Sequence, residues 1–133
     1  MITERISNWG ENLGLLEGME RLSYLIDLSK SATTLPEELR TDDRLVTGCI
    51  SKIWIDVGLK EDKVHVYYDS DAMITKGITR VVCECFTGAS RKEALDITIE
   101  DFAKLGVREL LTPQRQNGLS QLISTIQKRI KLL

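Results

Sequence analysis

Apolar positions recur along this chain with two different periods, and the switches between them divide it into elements. From about Thr3 to Leu13, Ile6, Trp9 and Leu13 fall at three- and four-residue spacing, which predicts an amphipathic helix. A stronger helical pattern runs from about Leu16 to Ser31, where Met19, Leu22, Leu25, Ile26 and Ser29 form the expected buried stripe. TTLPEELR ends it, because Pro36 pushes Leu35 toward an extended backbone. Thr41-Asp42-Asp43-Arg44 is polar and expected at the surface. The period then shortens to two. From about Ile50 to Leu59, Ile53, Ile55, Val57 and Leu59 alternate with Lys52, Trp54, Asp56 and Gly58, the pattern of a half-covered strand. Lys60-Glu61-Asp62-Lys63 makes a turn, and Val64, Val66 and Tyr68 then alternate with His65 and Tyr67, so the two runs predict an antiparallel hairpin. Leu45-Val46 is a candidate for a short third strand.

Helical spacing returns after Asp69-Ser70-Asp71, any of which could cap a helix starting near Ala72. Ile74, Gly77, Ile78, Val81, Val82 and Cys85 form one continuous face, and Gly88 ends the segment. Ser90 and Thr98 could cap short helices over 91–96 and 99–105. Thr112-Pro113 has the cap-then-proline form of a helix start, and Leu119, Leu122, Ile123, Ile126, Ile130 and Leu133 follow down one side. This order predicts an α+β fold, with a small antiparallel sheet covered by helices on one side, as a single domain over residues 1–133.

Composition narrows the function classes. A chain of 133 residues buries roughly 68% of its unfolded surface on folding, so its core needs no metal or disulfide staple. The net charge of −2 offers no basic patch for nucleic acid. No apolar run approaches the ~20 residues of a membrane span, and MITERISNWGENLG lacks the apolar block of a signal peptide, so a cytoplasmic location is expected. Three cysteines in that compartment default to reduced thiols.

Those thiols differ by position. On a helical wheel Cys85 lies within the apolar face, where a cysteine acts as a small hydrophobe. Cys83 lies nearly opposite, with Lys76 and Arg80, and is expected at a surface or interface. The two side chains diverge and cannot chelate one metal on a regular helix, and a zinc site needs more convergent ligands than these. His65 falls on the polar face of a strand, where a solvated residue is the simpler reading. Cys49 follows Gly48, which can take backbone conformations closed to other residues. A tight turn there could present the thiol to a visitor, or leave it as a loop cysteine tucked under Trp54. Asp69 and Asp71 could hold a cation, although helix capping accounts for them more simply. The sequence contains no glycine-rich phosphate loop and no HExxH.

Three stretches together carry more information than any one residue. LPEELRTDDRLVTGCISKIW (35–54), DSDAMITKG (69–77) and LTPQRQNGL (111–119) occur in an order and at separations that resemble the SufE family of sulfur-acceptor proteins. The resemblance runs from about Met19 to the C-terminus, and departs from the family pattern at Ile50, where glutamine is usual, and at Gln114, where serine is usual. It implies the α+β arrangement shared with iron–sulfur scaffolds of the IscU type. It implies that Cys49 accepts persulfide sulfur from a pyridoxal-phosphate-dependent cysteine desulfurase of SufS or CsdA type. Cys49 would then pass the sulfur to a cluster-assembly scaffold such as a SufBCD-like complex. No cofactor is expected on this chain beyond the transient persulfide, since pyridoxal phosphate belongs to the partner. The chain would be an accessory protein that stimulates the desulfurase rather than an enzyme itself. Only a thiolate attacks sulfur, which makes Arg115 the natural cation to sit near the Cys49 loop. Gly48 and Ser51, which flank the thiol, are expected to serve partner binding with Arg115. Asp71 and Lys76 could set partner recognition or loop position, or be a helix cap and a solvated charge. A persulfide is lost if another thiol reaches it, so Cys83 and Cys85 should lie out of reach. The alternative is an iron–sulfur scaffold or metal-binding protein of the IscU type, which would need Cys49 to converge with Cys83, Cys85, His65 or Asp71.

Overall fold

The computed structural model describes residues 1–32, 35–49 and 51–133, and among these it forms five α-helices and one β-hairpin joined by short 3-10 turns. Strand β1 (Ile53–Lys60) pairs with β2 (Lys63–Ser70) in a register that sets Ile53 opposite Ser70, Ile55 opposite Tyr68 and Val57 opposite Val66. Ile50, the expected start of the first strand, lies outside the described residues. The turn between the strands places Glu61 and Asp62 at φ of 53° and 64°. Two left-handed residues suit a two-residue hairpin because their twist matches that of the strands. The alternation has the expected sense, with Ile53, Ile55, Val64, Val66 and Tyr68 buried. Leu59, next to the turn, lies beyond the covering helices and is 46% exposed.

Both outer edges of this hairpin are engaged. Along β2, the Leu35 amide donates to the Tyr68 carbonyl, the Val64 amide to Ala89, the Gly88 amide to Val64, and the Val66 amide to the Thr87 hydroxyl. Along β1, the Val46 amide donates to the Ile53 carbonyl and Arg129 donates to the Ile55 carbonyl. The expected Leu45-Val46 strand is therefore a single bridge, Leu45 to Trp54, and not a full third strand.

Helix α1 (Ile2–Gly14) and helix α2 (Gly18–Lys30) precede the hairpin, and α3 (Met73–Phe86) follows it. The expected face of α3 is buried, including Ile78, Val81, Val82 and Cys85. Cys83 corrects the wheel reading: it is 1% exposed. A wheel sees one apolar face, but α3 lies between the sheet and α2 and is covered on both sides. The approach of α2 to α3 is set at Gly77, where an added Cβ would sit 2.8 Å from the Leu25 carbonyl carbon. The buried residues of α2 are Leu25, Leu28 and Ser29, and Met19, in its first turn, lies outside that stripe, 78% exposed. No side chain caps α3, because the Asp69 and Asp71 carboxylates are engaged elsewhere.

Beyond α3 the local rules hold. The Ser90 hydroxyl accepts from the Glu93 amide at the start of α4 (Arg91–Asp96). The segment 100–105 is a 3-10 helix, and the Thr98 hydroxyl accepts from the Asp101 amide just before it. Helix α5 (Pro113–Lys131) opens with the Thr112 hydroxyl accepting from the Arg115 amide. Leu119, Leu122, Ile123, Ile126 and Ile130 drive α5 into the core, each contributing about 1.5–3 kcal/mol by leaving water. Leu133 lies past the end of α5 and is half exposed. Among the described residues no helix is long and apolar enough to cross a membrane.

Candidate functional site: a sheltered thiol between two anchors

Cys49 lies in the segment that leads into β1, just after Gly48, whose φ of 85° is in the left-handed region that favours glycine. The segment is tied on two sides. On one side is α5: Asn117 Nδ2 donates to the Gly48 carbonyl at 3.3 Å, and the Cys49 thiol donates to the Gly118 carbonyl at 3.5 Å. On the other is the junction between β2 and α3. There the Lys52 amide donates to Asp71 Oδ1 at 2.9 Å, the Asp71 amide returns a bond to the Lys52 carbonyl at 3.2 Å, and the Ser70 hydroxyl donates to that carbonyl at 2.8 Å. Ser51 is half-buried, with Thr75 Oγ1 3.4 Å from its hydroxyl. Upstream, Arg129 donates to the Arg44, Leu45 and Ile55 carbonyls at 3.0, 2.9 and 2.7 Å, which holds the approach to the cysteine against β1.

Between these anchors the thiol faces a cavity of about 30 Å³, lined mainly by apolar side chains that include Ile53, Ile78, Leu119 and Leu122. That is room for one water-sized atom. Burial pushes the Cys49 thiol above its ordinary range. Arg115 is the one charged side chain among the described residues lining the cavity, but it is exposed and does not offset that rise. Arg115 and Cys49 thus line one cavity, while burial disfavours the thiolate at rest.

The other cysteines are apart from this cavity. Cys83 and Cys85 are buried in α3, neither lines the cavity, and all three thiols are free. Burial pushes Cys85 up to about 12 and Cys83 well above the ordinary thiol range. His65 lies on the outer face of β2, stacked on Tyr67 at 6.2 Å between ring centroids. Among the described residues no three His, Cys, Asp or Glu side chains gather as a metal site.

Two residues near the site have roles that local sequence rules did not bring out. The Asp69 side chain is 4% exposed and pairs with Arg40 at 2.6 Å and Lys76 at 3.1 Å, while accepting from the Ser70 amide at 2.8 Å. Lys76 is therefore an ion-pair partner and not a solvated charge, whereas Asp71 is exposed and holds the Lys52 amide. Arg40 comes from the 3-10 turn after Pro36, and nothing local in the sequence links it to Asp69. Gly118 is the second, and only the fold shows that it lies under the thiol.

Comparison with known proteins agrees with this architecture. Residues 8–130 match the family described as SufE: Fe-S metabolism associated domain. An uncharacterized SufE-like protein of Rhizobium etli is 36% identical over 119 residues, spanning 85% of this chain and 80% of its own. A similar protein of Rhizobium meliloti is 36% identical over 119 residues, with 83% and 82% of the two chains covered. SufE-like protein 1, chloroplastic/mitochondrial, of Arabidopsis thaliana is 31% identical over 114 residues, which span 85% of this chain and 31% of the plant protein. The solution structure of a hypothetical protein from Thermus thermophilus superposes with a TM-score of 0.80 at 18% identity, covering 96% of this chain and 94% of the other.

Proposed function

Since this chain belongs to the SufE family, we propose that it works in iron–sulfur metabolism as a sulfur acceptor, with Cys49 as the atom that carries the cargo. The observation that supports this most is the setting of Cys49: a half-exposed thiol beside a small apolar cavity, with both other thiols buried elsewhere in the fold. In the transfer step, the Cys49 thiolate attacks the terminal sulfur of a persulfide held by a cysteine desulfurase. A new sulfur–sulfur bond forms on Cys49, the donor's sulfur–sulfur bond breaks, and the donor cysteine leaves as a thiolate. One sulfur moves and nothing is oxidised or reduced overall. The partner supplies pyridoxal phosphate and the carbon–sulfur cleavage, and an iron–sulfur assembly scaffold receives the sulfur.

The resting geometry accounts for the division of labour. Burial disfavours the thiolate, the form that attacks sulfur, so a sheltered Cys49 is a poor nucleophile until it is brought out. Docking would bring Cys49 out of its cavity and hold two sulfurs together, which can be worth up to about 7–11 kcal/mol in favourable geometry. Asp71, exposed beside the loop, and Arg115, exposed above the cavity, are positioned to meet the partner. Gly48 permits the turn, and Ser51 lines the cavity.

The deciding experiment mixes the protein with a cysteine desulfurase and cysteine and measures intact mass. A one-sulfur increment is expected, retained in Cys83→Ser and Cys85→Ser and lost in Cys49→Ser. An increment that survives in Cys49→Ser refutes the assignment.

A further inference from the structure

We propose that Gly118 is the positioning residue that sets where the Cys49 thiol rests, so that side-chain size at 118 governs how often the thiol is presented. The biological meaning of this inference rests on the sulfur-acceptor reading; its test does not.

Cys49 is seated on Gly118. A Cβ built there would lie 3.4 Å from Cys49 Sγ, 3.8 Å from its Cβ and 3.9 Å from its Cα. The Gly118 carbonyl is also the acceptor of the thiol. Glycine at this place is not required by the backbone. Position 118 lies inside α5 without positive φ, where glycine weakens a helix relative to alanine. Its conformational freedom is unused, so what the residue supplies is space. The neighbouring turn completes the seat: Asn117 holds the Gly48 carbonyl, and a Cβ on Gly48 would meet the Gln121 side chain at 3.0 Å. Helix and loop are each pared to glycine where they meet.

A side chain at 118 that extends beyond a methyl group must move one of the two partners. Helix α5 is anchored by Leu119, Leu122 and Ile123 in the core, whereas the thiol is held by one long hydrogen bond to its seat. The thiol yields. A methyl group at 118 reaches it at the edge of contact, and a branched side chain cannot share the space.

The test needs no partner protein. Wild type, Gly118→Ala and Gly118→Val are alkylated with iodoacetamide between about pH 7 and pH 10, and modification of each cysteine is followed by mass spectrometry. Cys49 is expected to react at close to the wild-type rate in Gly118→Ala, whose methyl group makes an ordinary contact with the thiol, and faster in Gly118→Val. The rise for valine should be about tenfold, because the thiolate is the nucleophile and an unsheltered thiol ionises more readily. Its pH profile should shift toward lower pH while Cys83 and Cys85 stay protected. An unchanged Cys49 rate in Gly118→Val with those two protected overturns the proposal. If Gly118→Val exposes all three thiols, Gly118 is a packing residue and the proposal is likewise overturned. Neither result bears on sulfur acceptance, which the mass increment lost in Cys49→Ser reads separately.

Discussion

Replacing Asp69 by asparagine tests how the junction between β2 and α3, beside the Cys49 segment, is held. The carboxylate is 4% exposed and faces Arg40 at 2.6 Å and Lys76 at 3.1 Å. Asparagine keeps the shape and can still accept from the Ser70 amide, so the change isolates the charge. Breaking a buried ion pair by removing one partner costs about 3–5 kcal/mol. Here Arg40 and Lys76 retain 33% and 20% side-chain exposure and can turn toward water, which lowers the expected loss to about 2–3 kcal/mol. A domain of this length has an unfolding entropy of roughly 0.28 kcal/mol/K, so Tm should fall by about 7–11 °C. Urea titration of wild type, Asp69→Asn, Lys76→Met and the double variant supplies the assay. The double variant should be less destabilised than the sum of the single changes, because both remove the same pair. A loss below about 0.5 kcal/mol for Asp69→Asn, within the range of an ordinary surface substitution, refutes the reasoning.

Two further outcomes follow from packing and burial. Gly77→Ala should destabilise by about 1–3 kcal/mol despite the gain of about 1 kcal/mol in helix propensity, because the new methyl meets the Leu25 carbonyl of α2; equal or higher stability by thermal melting would count against that contact. Stability should also fall in alkali. Burial pushes Cys83 and Cys85 up, Cys85 to about 12, while unfolded thiols ionise from about pH 8.5. Between those values the unfolded state binds fewer protons than the native one. The unfolding free energy from urea titration should therefore drop as pH rises, by up to about 1.4 kcal/mol per pH unit for each thiol, and the urea midpoint with it. In Cys83→Ala and Cys85→Ala the slope should be shallower, and an unchanged slope overturns the assignment.

Much of this molecule was legible in its sequence, for identifiable reasons. Alternation at 53–59 and 64–68 reports a hairpin because one face is covered and the other is not. Helical spacing over 74–85 reports α3 for the same reason. Cys83 escaped that logic because a helix packed on two sides has two inward faces, and the second depends on α2. Met19 fits the helical spacing but stands in the first turn of α2, to one side of the stripe Leu25, Leu28 and Ser29 that the neighbouring elements cover. Asp69 resembled a cap because capping is local, whereas its partner Arg40 arrives from a distant turn. Gly48 and Cys49 could be picked out from local backbone chemistry. That Arg115 and Gly118 reach the same cavity is a property of the fold, and only the linked motifs pointed to Arg115.

The covered margins of the hairpin have a consequence for recognition. The outward backbone groups at Ile53, Ile55, Val64, Val66 and Tyr68 already bond to neighbouring loops, a hydroxyl or Arg129. Along β2 and the first half of β1, a visiting protein that tried to extend the sheet with a strand of its own would first have to displace these internal ties. Those stretches therefore favour contact through side chains and loops, which leaves the ladder in place. On those stretches the hairpin is closed to a further strand, and whatever meets it there meets side chains instead of free backbone.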